Sequence, residues 1–475
     1  MHEYYSGRSY SRRRRPSRLP RFLAAAACIA LIGALGTGLF FLRKQHHGKT
    51  PDTSGGIVIS TDADGSEAEA PTEGDGFVMP DTPAADLLHQ AYLLAAGYDY
   101  DAAIELLKGS EEFASDPEVI SAIAEYESAE ATLVRTPISK ITHVFFHTLI
   151  ADPSKSFDGD RDENGYNQVM TTIDEFNKIL ETLYEKGYVL VKLHDIAHEV
   201  TDENGNTKMV AGDIMLPPGK IPFVMSQDDL CYYEYMDGDG LASRMIVGEN
   251  GKPTCEMVMD DGSVSVGSYD LVPLLEDFIT EHPDFSYRGA RAVLAFTGYQ
   301  GVLGYRTDPS YESSNPNFEA DKETVRQVAQ CLRDNGWELA SHSWGHINFG
   351  KRSFEDVKTD SDKWASRVES LIGKTDILLY PFGSDVGDWH PYTSENQKYE
   401  YLHQLGFRYF CNVDSSQYWV QLGDDYLRQG RRNLDGYRMW KDITAEAEGR
   451  PRKLDDLFRA EDIFDKSRPT PVPEM

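Results

Sequence analysis

WELASHSWGH, residues Trp337 to His346, runs from apolar residues straight into polar ones, as a buried strand does where it ends and its loop begins. IPFVMSQDDL, Ile221 to Leu230, repeats the arrangement: an apolar run to Met225 closes in Ser226-Gln227-Asp228-Asp229. Around these two stretches, apolar strands near Val189, Phe223, Ala292, Glu338, Ile377 and Tyr409 alternate with amphipathic segments. The latter are FNKILETLYEKG, VPLLEDFITEH, TVRQVAQCLRDNG and KWASRVESLIG. Helix–strand alternation of this length predicts one α/β barrel. In such folds, functional sites are built at strand ends.

The strand ends carry chemistry. His342 and His346 are four residues apart, so on a helical turn both imidazoles face one way and can bind one divalent cation. A carboxylate from the Asp228-Asp229 pair supplies a third ligand. Three protein ligands leave a position open for water, which marks a catalytic rather than a structural site. Two adjacent carboxylates at the close of an apolar strand repel each other. A metal relieves that conflict by binding one and leaving the other as a base.

The order SQDDL, then HSWGH, then YPFGSD (Tyr380 to Asp385) resembles the NodB-homology polysaccharide deacetylases. Their first motif is usually Thr-Phe-Asp-Asp, their second His-(Ser/Thr)-x-x-His, and their third contains Arg-x-Pro-(Tyr/Phe)-Gly. The resemblance implies a distorted, seven-stranded (β/α) barrel. It also implies that Asp228 is the general base and that Asp229, His342 and His346 are the metal ligands. Pro381, Phe382 and Gly383 then form a groove wall whose backbone amide helps hold the oxyanion. Ser226-Gln227 replaces the usual Thr-Phe, and Leu379 stands where the third motif has the arginine that orients the base. Arg431 and Arg432 are candidates to replace it. No Leu-x-His motif follows the third motif. ITHVFFHTLI, with His147 after Val144-Phe145-Phe146, is similar instead to the branch of the family whose acid histidine lies on the first strand, so His147 is the expected general acid. His143 and His194 are weaker candidates. Zinc suits the His-His-Asp set, and the implied activity is removal of N-acetyl groups from an N-acetylglucosamine-type cell-surface or wall polysaccharide. The alternatives are a glycan-binding barrel without turnover and a helical scaffold protein.

The chain of 475 residues carries a net charge of −31, spread unevenly. Residues 1–50 hold ten Lys or Arg against one acid, so the remainder is strongly acidic. Such a body argues against nucleic acid as a partner. A basic tail, 1–21, precedes FLAAAACIALIGALGTGLFFL at 22–42, long enough to span a bilayer of about 30 Å. The basic cluster predicts a cytoplasmic N-terminus and a catalytic part outside the cell membrane; an uncleaved anchor is preferred over a signal peptide.

Residues 43–83, rich in Gly, Ser, Thr, Asp, Glu and Pro, read as a flexible stalk. Residues 84–136 turn helical and resemble one tetratricopeptide-like hairpin, a spacer in preference to a protein-docking module. Residues 137–475 form the expected catalytic domain. Within it, Cys231 to Tyr287 is an insertion carrying a hairpin that overhangs the site, with Tyr232, Tyr233 and Tyr235 able to stack on sugars. DGDRDENGYN (Asp158 to Asn167) includes Asp160-x-Asp162-x-Asn164-Gly165, which matches the start of a calcium loop, but Thr171 stands at the twelfth position from Asp160 in place of Glu, and it reads as a solvated acidic loop. Four cysteines beyond the apolar segment show no zinc-type spacing; a Cys231 to Cys255 disulfide is an open possibility.

Overall fold

In the computed structural model, which describes residues 76–474, a nine-stranded central sheet pairs the strand Val420–Leu422 antiparallel with the last of eight short parallel strands. They are β1 (Thr142–Phe146), β2 (Tyr188–Leu190), β3 (Ile221–Gln227), β4 (Val293–Phe296), β5 (Glu338–Ser341), β6 (Ile377–Leu379), β7 (Tyr409–Val413) and β8 (Leu427–Asn433). They are mostly buried on both faces, as a parallel sheet covered by helices requires, and largely apolar except for β8, LRQGRRN, which is buried yet polar. Parallel pairing runs β4-β5-β6-β7-β8-β1-β3. Val293 opposite Ser226 and Leu294 opposite Gln227 then close the circuit into a seven-stranded barrel. β2 pairs with the lower half of β3, Tyr188 opposite Ile221, so β2 and β4 share one edge of β3.

Strand alternation sorts the side chains. Val144, Phe146, Phe223, Met225, Leu294, Phe296, Leu339 and Leu378 point outward into the larger core under the helices. Val224, Ala295, Ala340, Ile377 and Leu379 fill the barrel interior. The outer layer includes the helix Ile173–Glu185, started by a capping box between Thr172 and Glu175. Its Phe176, Ile179, Leu180 and Leu183 recur at helical spacing and face the sheet.

Three helices precede the barrel: α1 (Ala85–Ala96), α2 (Tyr100–Lys108) and α3 (Pro117–Glu130). They share a small core of Leu88, Ala91, Ala103, Leu107 and Val119. Asp116 caps α3 through the Glu118 amide, with Pro117 in the first turn. The barrel holds the α1–α2 turn: Arg288 N–H donates to the Gly97 carbonyl at 2.8 Å, and Tyr98 donates to the Asp284 carbonyl at 2.8 Å.

Other expectations need correction. The fold expectation included a transmembrane helix, and among the described residues no helix is long and apolar enough to cross a membrane. The basic tail, the apolar segment 22–42 and the stalk up to residue 75 lie outside the described residues. The insertion carries three antiparallel strands, Arg244–Val247, Pro253–Val258 and Val264–Gly267, rather than one hairpin. That sheet packs on the helices Leu271–Glu281 and Phe318–Asp334. Cys231 and Cys255 are both free and buried. The acidic loop bends so that Asp160 and Asp162 lie with Asp239, their oxygens within 4.8 Å of one another.

Candidate active site

The alternation that packs β3 also points its polar end. Val224 and Ser226 face the barrel interior, so Asp228 follows them inward. Phe223 and Met225 face the helices, and Gln227 follows them outward. There its amide Nε2 donates to both oxygens of buried Asp270 at 2.9 Å. Asp270 also accepts from the Leu149 and Leu271 amides and from the Tyr232 hydroxyl. Gln227 thus ties the strand end to the helix Leu271–Glu281. Beyond it, Asp229 adopts φ 60°, a left-handed conformation that turns the chain sharply. Ser343 (60°), His346 (51°) and Phe382 (58°) are left-handed as well. Such strain in non-glycine residues persists only where the surroundings enforce it, and it clusters at functional sites.

HSWGH forms a loop rather than a helical turn. The His342 amide donates to the Phe296 carbonyl at 2.9 Å, extending the β4–β5 pairing. The loop then wraps the Asp360 carboxylate, which accepts from the Trp344 and Gly345 amides at 2.8 Å each. Ser343 Oγ accepts from the Ile347 amide at 3.0 Å. Together these contacts place the His342 and His346 rings 5.0 Å apart. His342 Nδ1 donates to the Leu379 carbonyl at 2.8 Å, which fixes its tautomer and leaves Nε2 for the site. That nitrogen stands 3.8 Å from Asp228 Oδ2, and His346 Nε2 stands 3.6 Å from Asp229 Oδ2. Donor atoms of Asp229, His342 and His346 all lie within 4.8 Å of one another. Donors about 2.1 Å from one tetrahedral ion stand about 3.4 Å apart, so this set fits a divalent cation of the zinc class. Burial pulls His346 down to about 4 despite the opposing charge of Asp229, keeping the ring neutral, as metal ligation requires.

Arg431 supplies what Leu379 lacks. It is fully buried and makes a two-pronged pair with Asp228, Nη1 to Oδ1 at 2.6 Å and Nη2 to Oδ2 at 3.0 Å. Burial alone would raise the Asp228 carboxyl, but the charges of Arg431 and then His342 outweigh it and hold the group well below the usual carboxylate range. Arg432, one residue on, points out of the barrel to Asp456 at 2.7 Å. His143 lies in the interior beside this pair, its Nδ1 with Gln429 at 3.1 Å and its Nε2 with Ser226 at 2.9 Å. Burial, reinforced by Arg431, drives its pKa well below the ordinary value, so His143 is a neutral strut of the interior.

His147, just beyond β1, is half-buried, and its Nδ1 donates to the Val169 carbonyl at 2.9 Å. It lies near enough for its charge to help lower both Asp228 and Asp229. The Pro381–Gly383 turn reaches the histidines through Phe382, whose ring meets His346 edge-on at 4.5 Å. A side chain at Gly383 would run into Val413 at 2.4 Å. Beyond this turn lies a cleft of about 350 Å³, lined by Ser384, Asp385, Asp388, Trp389, Asp414 and Trp419. His194 is elsewhere, between Glu338 and Asp376 at the start of β5. Tyr232 and Tyr233 are buried and hydrogen-bonded to carboxylates, and the sugar-stacking expectation fails for both.

Asp228, Asp229, His342, His346 and His147 are therefore brought together at one end of the barrel, with Phe382 against His346 and with His143 and Arg431 in the interior beside them, whereas Arg432 and His194 lie elsewhere. Asp360 and Tyr233 were not expected as partners of the site; Asp360 bonds to it from the helix Phe354–Trp364 and Tyr233 from the loop after Asp229, contacts that sequence spacing does not signal. No protein-family model matches the chain, and no curated protein matches it. Among solved structures, the Streptococcus pyogenes deacetylase PplD in complex with acetate is similar at a TM-score of 0.32 and 12% identity. The match covers 63% of this chain and 93% of that one. At that score the likeness is weak, and the reading of the site rests on its own geometry.

Proposed function

We propose that this chain is a divalent-metal-dependent hydrolase that removes N-acetyl groups from an N-acetylglucosamine-type polysaccharide of the cell surface or wall. The observation that carries the reading is the convergence of Asp229, His342 and His346 beside an Asp228 clamped by buried Arg431. The motif order SQDDL, HSWGH, YPFGSD adds the acetamide as the bond attacked.

Asp229, His342 and His346 would hold the ion. Bound there, a zinc-class cation would supply Lewis acidity toward the acetyl carbonyl and bring the pKa of a water toward about 7. Asp228 takes the proton of the attacking water, and the two prongs of Arg431 keep its oxygens aimed. The Phe382 backbone amide is the donor assigned to the charge developing on the acetyl oxygen. His147 carries its transferable proton on Nε2, because Nδ1 is committed to Val169, and delivers it to the departing sugar amine. The products are acetate and a glucosamine unit bearing a free amine. The Arg431–Asp228 pair favours turnover over a barrel that only binds glycan, since binding alone has no use for an oriented base.

The test is acetate release from soluble N-acetylglucosamine oligomers of β-1,4 and β-1,6 linkage, with added zinc or cobalt, beside Asp228→Asn. Metal-dependent release that vanishes in the variant is expected. A metal-loaded chain that releases no acetate from either series would overturn the proposal.

A further inference from the structure

Asp229 has a second partner besides the histidines. The Tyr233 hydroxyl lies 2.6 Å from Asp229 Oδ1 and 2.7 Å from Thr297 Oγ1. An ionised carboxylate can only accept, so the single tyrosine proton goes to Asp229. The tyrosine oxygen must then accept from the Thr297 hydroxyl. The direction of the chain, Thr297 to Tyr233 to Asp229, is thereby fixed, and each bond polarises the next.

The tyrosine is held rigidly enough to impose this geometry. Its side chain is 2% exposed, and its ring is sandwiched between Tyr235 (5.5 Å, 12°) and Tyr299 (5.3 Å, 21°). The turn delivering it is tight: Asp229 and Tyr232 are both left-handed, and the Cys231 amide donates back to the Asp229 carbonyl at 2.6 Å. Thr297 is the residue directly after β4, so the chain bolts the end of β3 to the end of the neighbouring strand. With Oδ1 engaged by Tyr233, it is Oδ2 that faces His346 Nε2 at 3.6 Å.

We infer that Tyr233, supported by Thr297, is a positioning residue that makes Asp229 a one-oxygen ligand, leaving room around the cation for water and substrate. A carboxylate free to rotate would present both oxygens and fill that room. The inference rests on the proposed metal-dependent function and adds to it a residue from the insertion.

The test is titration of the purified full chain with cobalt(II), reading both the dissociation constant and the visible absorption of the bound ion. Partners that orient a metal ligand typically contribute 10–100-fold in affinity. Tyr233→Phe keeps the stacked ring and should weaken cobalt binding by about 10–100-fold with an altered spectrum. Thr297→Val should shift both readouts in the same direction by less, and Thr297→Ser, which keeps the hydroxyl, should match the unaltered chain. The threonine pair decides the matter if Tyr233→Phe does not fold. Tyr233→Phe, or Thr297→Val in its place, with unaltered affinity and spectrum would overturn the inference alone. An unaltered chain that takes up no cobalt would overturn the proposed function together with it.

Discussion

The two ends of β5 each hold histidine among carboxylates, and they do opposite things with it. At the lower end, His194 is bonded on both ring nitrogens: Nδ1 to Glu338, and Nε2 to both oxygens of Asp376 at 3.1 Å. Burial pushes its pKa down, but the bonds to Asp376 and Glu338 outweigh that and raise it to about 10. At the upper end, His342 and His346 stand 3.8 and 3.6 Å from Asp228 and Asp229, and burial takes His346 down to about 4. The residue types match; the difference lies in who else holds the acids. Arg431 and Tyr233 engage the upper carboxylates, so the histidines cannot close on them as His194 closes on its partners. The lower cluster is a finished ion pair, and the upper one keeps a gap of cation size.

Four expected outcomes test that contrast, the largest first. Asp228→Asn and His147→Gln should each lower kcat by about 10²–10⁴-fold, the span of general acid–base catalysis. His194→Gln should leave kcat unchanged, and a comparable loss there in steady-state kinetics would end the distinction between the two ends. Arg431→Met leaves a buried charge unpaired and should cost about 3–5 kcal/mol in urea unfolding of the metal-free chain. A loss no larger than that of a surface change would show that Asp228 does not depend on its arginine.

The third outcome concerns pH. The folded pKa of His194 lies above its ordinary 6.5, so the native state binds the extra proton between 6.5 and about 10. Stability from this cluster is therefore complete below 6.5 and is lost as pH rises through about 10. Thermal melts across that window should show a downward slope that His194→Gln flattens. Last, Tyr409→Phe removes the hydroxyl that donates to the Ala197 carbonyl at 2.7 Å beside His194. It should cost about 0.5–1.5 kcal/mol and leave acetate release untouched.

Much of this was legible in the sequence, because strand alternation is a local rule. The apolar runs at Ile221 and Trp337 located strand ends correctly, and the helices between them followed from amphipathic spacing. Two kinds of feature stayed hidden. HSWGH looks helical by spacing, yet the carboxylate that shapes it into a loop, Asp360, comes from the following helix. The choice between Arg431 and Arg432 turns on which face of β8 points inward. Adjacent arginines give no local sign of it, and only Arg431's alignment with His143 on β1 decides. The insertion misled in another way: its turn signals marked the strand breaks but not that the strands would join in one three-stranded sheet packed on two helices.

Barrel closure between β1 and β8 has a temporal consequence. His143 meets Gln429 across 286 residues of chain, and Asp228 meets Arg431 across 203. At typical synthesis speeds of 5–20 residues per second, Asp228 leaves the ribosome about 10–40 s before its arginine. Through that interval the nascent chain carries two neighbouring carboxylates with no guanidinium to meet them. The site is thus among the last parts of the molecule to be assembled, and a chain released before β8 cannot build it.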